Sequence, residues 1–293
     1  MERSRPDCAW DVLHEQRMRE ENQDSWVMVQ AGSGWLLAVC DGMGGVQGGA
    51  RASELAANTL RERADTLDVE RPTEPLTQAI QDANTRILNE ARQDLSRAGM
   101  GTTMVCAFVR GRQVHISWAG DSRAALRQPD GTLRWLTTDH TRVQELVDMG
   151  LIPPEQAEGH PYGHILSRAV GVSATLQVDS LEPFELGPDE RLLLCSDGVS
   201  GAASATELAE ALGAPSAEQA IDAVNLRVAQ NEGDDNATAV LWIPDLPPAE
   251  FERPRPQPSA ERTEPASKGP RWDLVVAGAL GLTALGALIW QWL

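Results

Sequence analysis

The sequence predicts an α+β protein in which many short strands form a mixed sheet or sandwich carrying helical layers. Three observations carry that prediction. Strand-like apolar runs recur between Gly- and Pro-bearing turns as far as about Ile243. Amphipathic segments interrupt them in pairs, which a plain βαβ repeat with its single crossover helix does not produce. Past Ile243 the composition changes twice, first to proline-rich and then to uncharged and apolar.

In chain order, "SWVMVQ" and "WLLAVC" read as two strands joined over "AGSG", whose glycines suit a tight connection. "GGARASELAANTLRERAD" has helical spacing, with Ala52, Leu55, Ala56 and Leu60 on one face. "TEPLTQAIQDANTRILNEARQDL" gives a second amphipathic helix through Leu76, Ile80, Ala83, Ile87 and Leu88. Strand signals follow in "TTMVCAFV", "RQVHISWAG", "RAALRQ" and "GTLRWLT". After "RLLLCSD" come two helical patches, Ala205 to Leu212 and Ala217 to Gln230, and "NATAVLWI" reads as a closing strand.

The remaining totals exclude some functions. A net charge of −18 is incompatible with sequence-independent binding to a phosphate backbone, so no nucleic-acid partner is expected. The four cysteines, Cys8, Cys40, Cys106 and Cys195, show no metal or disulfide spacing and read as reduced, buried thiols in a cytosolic setting. The opening "MERSRPDCAWDV" is charged and lacks the apolar run of a secretory signal.

Residues 244–272 hold eight prolines and few large apolar side chains, so they read as a disordered linker behind a domain at 1–243. Residues 273–293 read as a transmembrane helix. The twenty residues from Leu274 carry no charge, and at ~1.5 Å each they span about 30 Å, the thickness of a bilayer's hydrocarbon core. Trp272, Trp290 and Trp292 sit where indoles favour the interface, while Lys268 and Arg271 place the N-terminal side in the cytoplasm. The expectation is a single-pass anchor with the folded domain cytoplasmic. Ala277, Gly281 and the series Ala279, Thr283, Ala287 would permit weak helix pairing; the expected state is otherwise a monomer.

The chemistry concentrates in aspartates at strand ends. "GWLLAVCDGMGG" and "RLLLCSDGVSG" both run an apolar strand into a carboxylate and then glycine. An ionised carboxylate there is costly unless a salt bridge, a helix N-terminus or a metal ion meets it. Asp24, Asp41, Asp121, Asp197 and the pair Asp234 and Asp235 form an oxygen-rich set free of cysteine and histidine, which suits Mg²⁺ or Mn²⁺. Taken singly, each Asp-Gly is more often a turn.

As an ordered set the residues are specific. "RMREENQDS", "VCDGMGG", "GTTMVCAFV", "WAGDSRAAL", "LTTDHT", "LLLCSDGVS" and "DDNATAVLW" resemble the metal-dependent Ser/Thr protein phosphatases of the 2C type (the PPM family), in their bacterial branch. The resemblance covers Met18 to Trp242 and implies a four-layer αββα sandwich with two metal ions at one end. It implies that Asp41 bridges both Mn²⁺ or Mg²⁺ ions and that the Gly42 carbonyl ligates one. Asp197 and Asp235 would hold the other, Asp24 would act through water, and Asp121 with Asp197 would recruit a weaker third. Arg19 would grip the substrate phosphate, as a guanidinium fork suits paired oxygens. A hydroxide between the ions would then attack phosphoserine or phosphothreonine in a phosphorylated protein. A cognate membrane-associated Ser/Thr kinase is the partner suggested by analogy.

Two positions depart from the family's pattern. Gln23 stands where many relatives have glutamate, and Met43 where eukaryotic relatives have a histidine, which leaves the leaving-group acid unassigned. His140 reads as structural, whereas His160 and His164 lie in a stretch, Val143 to Arg168, resembling the family's variable flap. The rival readings are an inactive phosphatase fold kept as a phosphoprotein-binding regulator and an unrelated cation-binding structural domain.

Overall fold

Twelve strands and six helices follow one another in the computed structural model, which describes residues 8–44, 48–67, 70–157, 160–187 and 189–244. They are β1 (Cys8–Glu15), β2 (Asp24–Ala31), β3 (Gly34–Met43), α1 (Gly48–Arg63), α2 (Thr73–Gln93), β4 (Gly101–Thr102), β5 (Met104–Arg110), β6 (Gln113–Ala119), β7 (Arg123–Arg127) and β8 (Leu133–Trp135). There follow α3 (Arg142–Asp148), β9 (Asp179–Ser180), β10 (Phe184–Glu185), β11 (Arg191–Cys195), α4 (Asp197–Ser200), α5 (Ala205–Ala211), α6 (Ala217–Gln230) and β12 (Ala237–Pro244).

The strands make two antiparallel sheets. One has the order β1-β12-β11-β7-β8; the other has β10-β6-β5-β3-β2, with β4 on β3 and β9 on β6. Three apolar cores separate the layers. Leu37, Val39, Val105, Ile116, Leu126, Leu192, Leu194 and Trp242 fill the space between the sheets. Ala52, Ala56, Leu60, Leu76, Ile80 and Ile87 press α1 and α2 onto the second sheet. Leu208, Ala220, Ile221 and Val224 press α5 and α6 onto the first. The result is the αββα stack. Strands such as β3 and β12 are buried on both faces, which explains why they read as unbroken apolar runs rather than as alternations.

The sequence missed β1. Its eight residues pair along the whole of β12, from Cys8 opposite Pro244 to Glu15 opposite Ala237. Asp11, His14 and Glu15 hide the pattern because an edge strand tolerates polar side chains on its open side. Pro244 correspondingly closes β12 instead of opening the linker. The expected linker and transmembrane helix lie outside the described residues from 245 onward, and among the described residues no helix is long and apolar enough to cross a membrane.

Leu37 is fully buried between the sheets. Leu37→Ala should cost about 2–5 kcal/mol of unfolding free energy in urea titration. Leu226→Ala, at a position 57% exposed, should stay within about 0.5 kcal/mol.

Candidate metal and phosphate site

The twin Asp-Gly motifs turn out to be built differently. Asp41 lies inside β3, which runs on to Met43, whereas Asp197 follows the end of β11 and begins α4. What they share is the glycine. A side chain at Gly42 would place its Cβ 2.2 Å from the Gly49 carbonyl oxygen, and one at Gly198 would fall 2.0 Å from that of Asn236. Each Asp-Gly therefore lets a second backbone segment, the start of α1 or of β12, lie directly against the carboxylate's own chain.

The backbone of Asp41 is clamped on three sides. Its N–H donates to Thr103 Oγ1 at 3.0 Å, and its carbonyl accepts from the Thr103 N–H and the Thr102 hydroxyl, both at 2.8 Å. Asp24 sits directly across the ladder, the register partner of Asp41 on β2. Asp121 occupies the turn between β6 and β7. Thr103 Oγ1 and Ser122 Oγ are 2.6 Å apart, and the Gly120 N–H donates to His140 Nδ1 at 3.1 Å.

One contact joins the two sheets at this end. Ser196 Oγ, just past β11, donates to Asp24 Oδ2 at 2.8 Å while accepting the Thr238 N–H at 3.0 Å. Asp197 follows immediately, close enough that its charge raises the proton affinity of Asp41. Asp235 stands before β12, where Arg19 Nη2 donates to its Oδ2 at 2.6 Å. All seven sequence-predicted residues, Arg19, Asp24, Asp41, Gly42, Asp121, Asp197 and Asp235, thus fall at one end of the sandwich.

The electrostatics are those of unmet negative charge. Burial pushes Asp24 and Asp121 up to about 7, with the Asp197 charge adding to both. Asp41 is raised well above the usual carboxylate range by burial and then by Asp197 and Asp24; Asp197 is raised by burial, with the Asp235 charge adding to it. Asp24 Oδ1 and Asp197 Oδ1 are buried and have no hydrogen-bond partner. Among the described residues no three His, Cys, Asp or Glu side chains stand together as a complete ligand set. Carboxylates gathered by twos, with a free backbone approach at Gly42, instead suit a hard cation that retains waters and binds through one or two carboxylates. The donor set fits Mg²⁺ or Mn²⁺.

Comparison with known proteins decides the affiliation. The description "Protein phosphatase 2C" matches residues 14–239, most of the chain.

This chain belongs to the protein phosphatase 2C family.

The "Serine/threonine phosphatase stp" of Listeria welshimeri is 37% identical over 232 residues, covering 77% of this chain and 91% of that protein. The "Serine/threonine protein phosphatase PstP" of Mycobacterium tuberculosis is 35% identical over 225 residues, 76% of this chain and 42% of that one. The solved M. tuberculosis phosphatase PstP/Ppp superposes with a TM-score of 0.74 at 31% identity, covering 82% and 99% of the two chains. A structure of the PstP catalytic domain in complex with two manganese ions gives 0.70 at 30%, covering 80% and 97%. The 2C-type fold, with its antiparallel sheets and flanking helices, is therefore that of this chain.

The other marked residues separate cleanly. His140 is structural, as expected: it is 5% exposed, stacks on Trp118 at 5.9 Å and pairs through Nε2 with Asp179 at 3.2 Å. His160 is half-buried and His164 exposed, and His160 contacts Tyr162 within the flap. Arg123 of Gly-Asp-Ser-Arg makes a two-pronged ion pair with Asp139. The thiols are buried; burial pushes Cys106 and Cys195 up to about 12 and Cys40 higher still. None has the character of a nucleophile. Sequence reasoning missed Ser196, Thr103, Thr238 and Asn236, small polar residues whose importance lies only in what they touch.

The raised carboxyls predict a pH effect. A group titrating near 7 when folded and near 4 when unfolded binds its proton more tightly in the fold, so its stabilisation is full below about pH 4 and is lost as pH rises through about 7. Without divalent ion, the melting temperature should fall between pH 5 and pH 8. Asp24→Asn should flatten that fall, and Mn²⁺ at pH 8 should reverse it in calorimetry.

Proposed function

We infer that this protein is a Mn²⁺- or Mg²⁺-dependent protein Ser/Thr phosphatase whose reaction centre is the carboxylate cluster at the meeting point of the two sheets. The observation that carries this reading is a buried group of aspartates drawn from both sheets, two of their oxygens unpartnered, with Arg19 at the rim. The relatives named Ser/Thr phosphatases and the manganese-bound neighbour support it.

Asp41, the Gly42 carbonyl, Asp197 and Asp235 would hold the two core ions, with Asp24 acting through water and Asp121 serving a weaker third. Bound there, such ions supply Lewis-acid activation of a water and neutralise phosphate charge. The chain's own part is to hold those oxygens rigid and to orient the phosphate. Arg19 presents a fork matched to two phosphate oxygens. The Asp41 backbone, pinned by Thr102 and Thr103, keeps its carboxylate from following the substrate. The buried thiols leave no covalent enzyme intermediate to form at cysteine. Met43 places its terminal methyl beside Gly101 and has no proton to give, so the leaving group takes its proton from elsewhere.

The rest of the chain extends the proposal: residues 1–244 form the catalytic domain, 245–272 a linker and 273–293 a single membrane span holding the domain on the cytoplasmic face. Support comes from the uncharged twenty-residue run, its flanking tryptophans, and Lys268 with Arg271. Tethering raises the local concentration of phosphorylated Ser/Thr proteins at that membrane, a membrane-associated kinase among them.

Hydrolysis of a phosphothreonine peptide should require Mn²⁺ or Mg²⁺ and stop with EDTA. Asp197→Ala should lower turnover more than about 100-fold, beyond the scale of outer-shell ligand changes; peptide binding without turnover in the wild type would refute the enzymatic reading. Full-length protein should pellet with membranes and resist carbonate extraction, and a 1–243 fragment should remain in the supernatant. Full-length protein in the carbonate supernatant would remove the anchor.

A further inference from the structure

The segment that carries Arg19, residues 16–23, belongs to no helix or strand and has no buried apolar side chain to hold it; Met18 is 82% exposed. What holds it is polar, and three of those hydrogen bonds converge on one side chain. Asn236 is 5% exposed and lies more than two hundred residues away in sequence. Its Nδ2 donates to the Gln16 carbonyl at 2.9 Å and the Glu21 carbonyl at 3.1 Å, and its Oδ1 accepts the Gln23 N–H at 2.8 Å. One carboxamide thus grips both ends of the loop.

The grip passes directly to Arg19. Gln16 Nε2 donates to the carbonyls of Arg19 at 2.8 Å and Glu20 at 2.9 Å. The Met18 N–H donates to the Asp234 carbonyl at 3.2 Å. Arg17 adopts a left-handed φ of 55° and reaches Asn225 on α6. Asn236 is also the residue after Asp235, the carboxylate that Arg19 meets. A buried amide with both donors and its acceptor used cannot shift without breaking them, and its loss would leave carbonyls that only water could satisfy.

We propose that Asn236 is a positioning residue for phosphate binding: it fixes the Gln16–Gln23 loop so that the Arg19 guanidinium is pre-aimed at the carboxylate cluster. This rests on the phosphatase reading above. The loop touches no apolar core, so its release is a local opening that leaves the sandwich folded. The grip acts on substrate capture, because Arg19 binds the phosphate in ground state and transition state alike.

The test is a double-mutant cycle in the full-length protein with a phosphothreonine peptide and saturating Mn²⁺. Asn236→Ala and Asn236→Asp should each raise KM about tenfold with kcat changed less than about threefold. Arg19→Ala should do at least as much, and Arg19→Ala with Asn236→Ala should be no worse than Arg19→Ala alone. Gln16→Ala, at an exposed position, should raise KM in the same direction without touching the core. Hydrogen exchange supplies a reading independent of turnover: amides of residues 17–23 should exchange faster in Asn236→Ala while those of β12 and β1 remain protected. Additive losses in the cycle, or unchanged exchange in the loop, would overturn the proposal. A wild type whose loop behaves as expected but which never turns over would instead overturn the phosphatase reading.

Discussion

The fold is organised around a repulsion. Four carboxylates, Asp24, Asp41, Asp121 and Asp197, are held together at one end of the sandwich, where the charge of Asp197 raises the proton affinity of the other three. A random chain would relax by turning them to water. This one prevents that by fastening their backbones: Thr102 and Thr103 around Asp41, Ser122 beside Asp121, Ser196 against Asp24, and α4 starting at Asp197. The apolar layers are the counterweight that makes such fastening affordable, because Leu37, Leu194 and Trp242 lock the two sheets at a fixed spacing. Charge stored in this way creates affinity for a dication in advance of its arrival.

The same logic explains why the sheets meet through a serine. Ser196 bonds across the gap with a hydroxyl that accepts from one strand and donates to the other sheet's carboxylate. A hydroxyl can do both, whereas a methyl would take one hydrogen bond from the buried Asp24 carboxylate and leave the Thr238 N–H without its acceptor. The neighbouring aspartate then inherits its placement from a residue that carries no reactivity of its own.

Much of this was legible in the residues. Periodicity found α1, α2, α5 and α6 because each has one apolar face against a sheet, and apolar runs found β3, β11 and β12 because these strands are covered on both sides. The carboxylates were legible as an ordered set, since Asp-Gly after an apolar strand signals a carboxylate that another backbone must approach. What stayed hidden was relational. Strand β1 alternates poorly because only part of each face is covered, and Asn236 or Thr103 looks like any loop or strand polar residue until its partners two hundred or sixty positions away are known. Hydrogen bonds of that span leave no periodic trace in a sequence.

The ion pair of Arg19 with Asp235 bears on how a turnover ends. On the proposed reading of Arg19 as the phosphate-binding residue, its guanidinium, 54% exposed, already rests on the Asp235 carboxylate, so taking up a phosphate would exchange one anion for another. That exchange would lower the grip on any single phosphate and shorten its stay. Product release on that reading would be an exchange of anions, with Asp235 standing ready to receive the guanidinium as the phosphate departs.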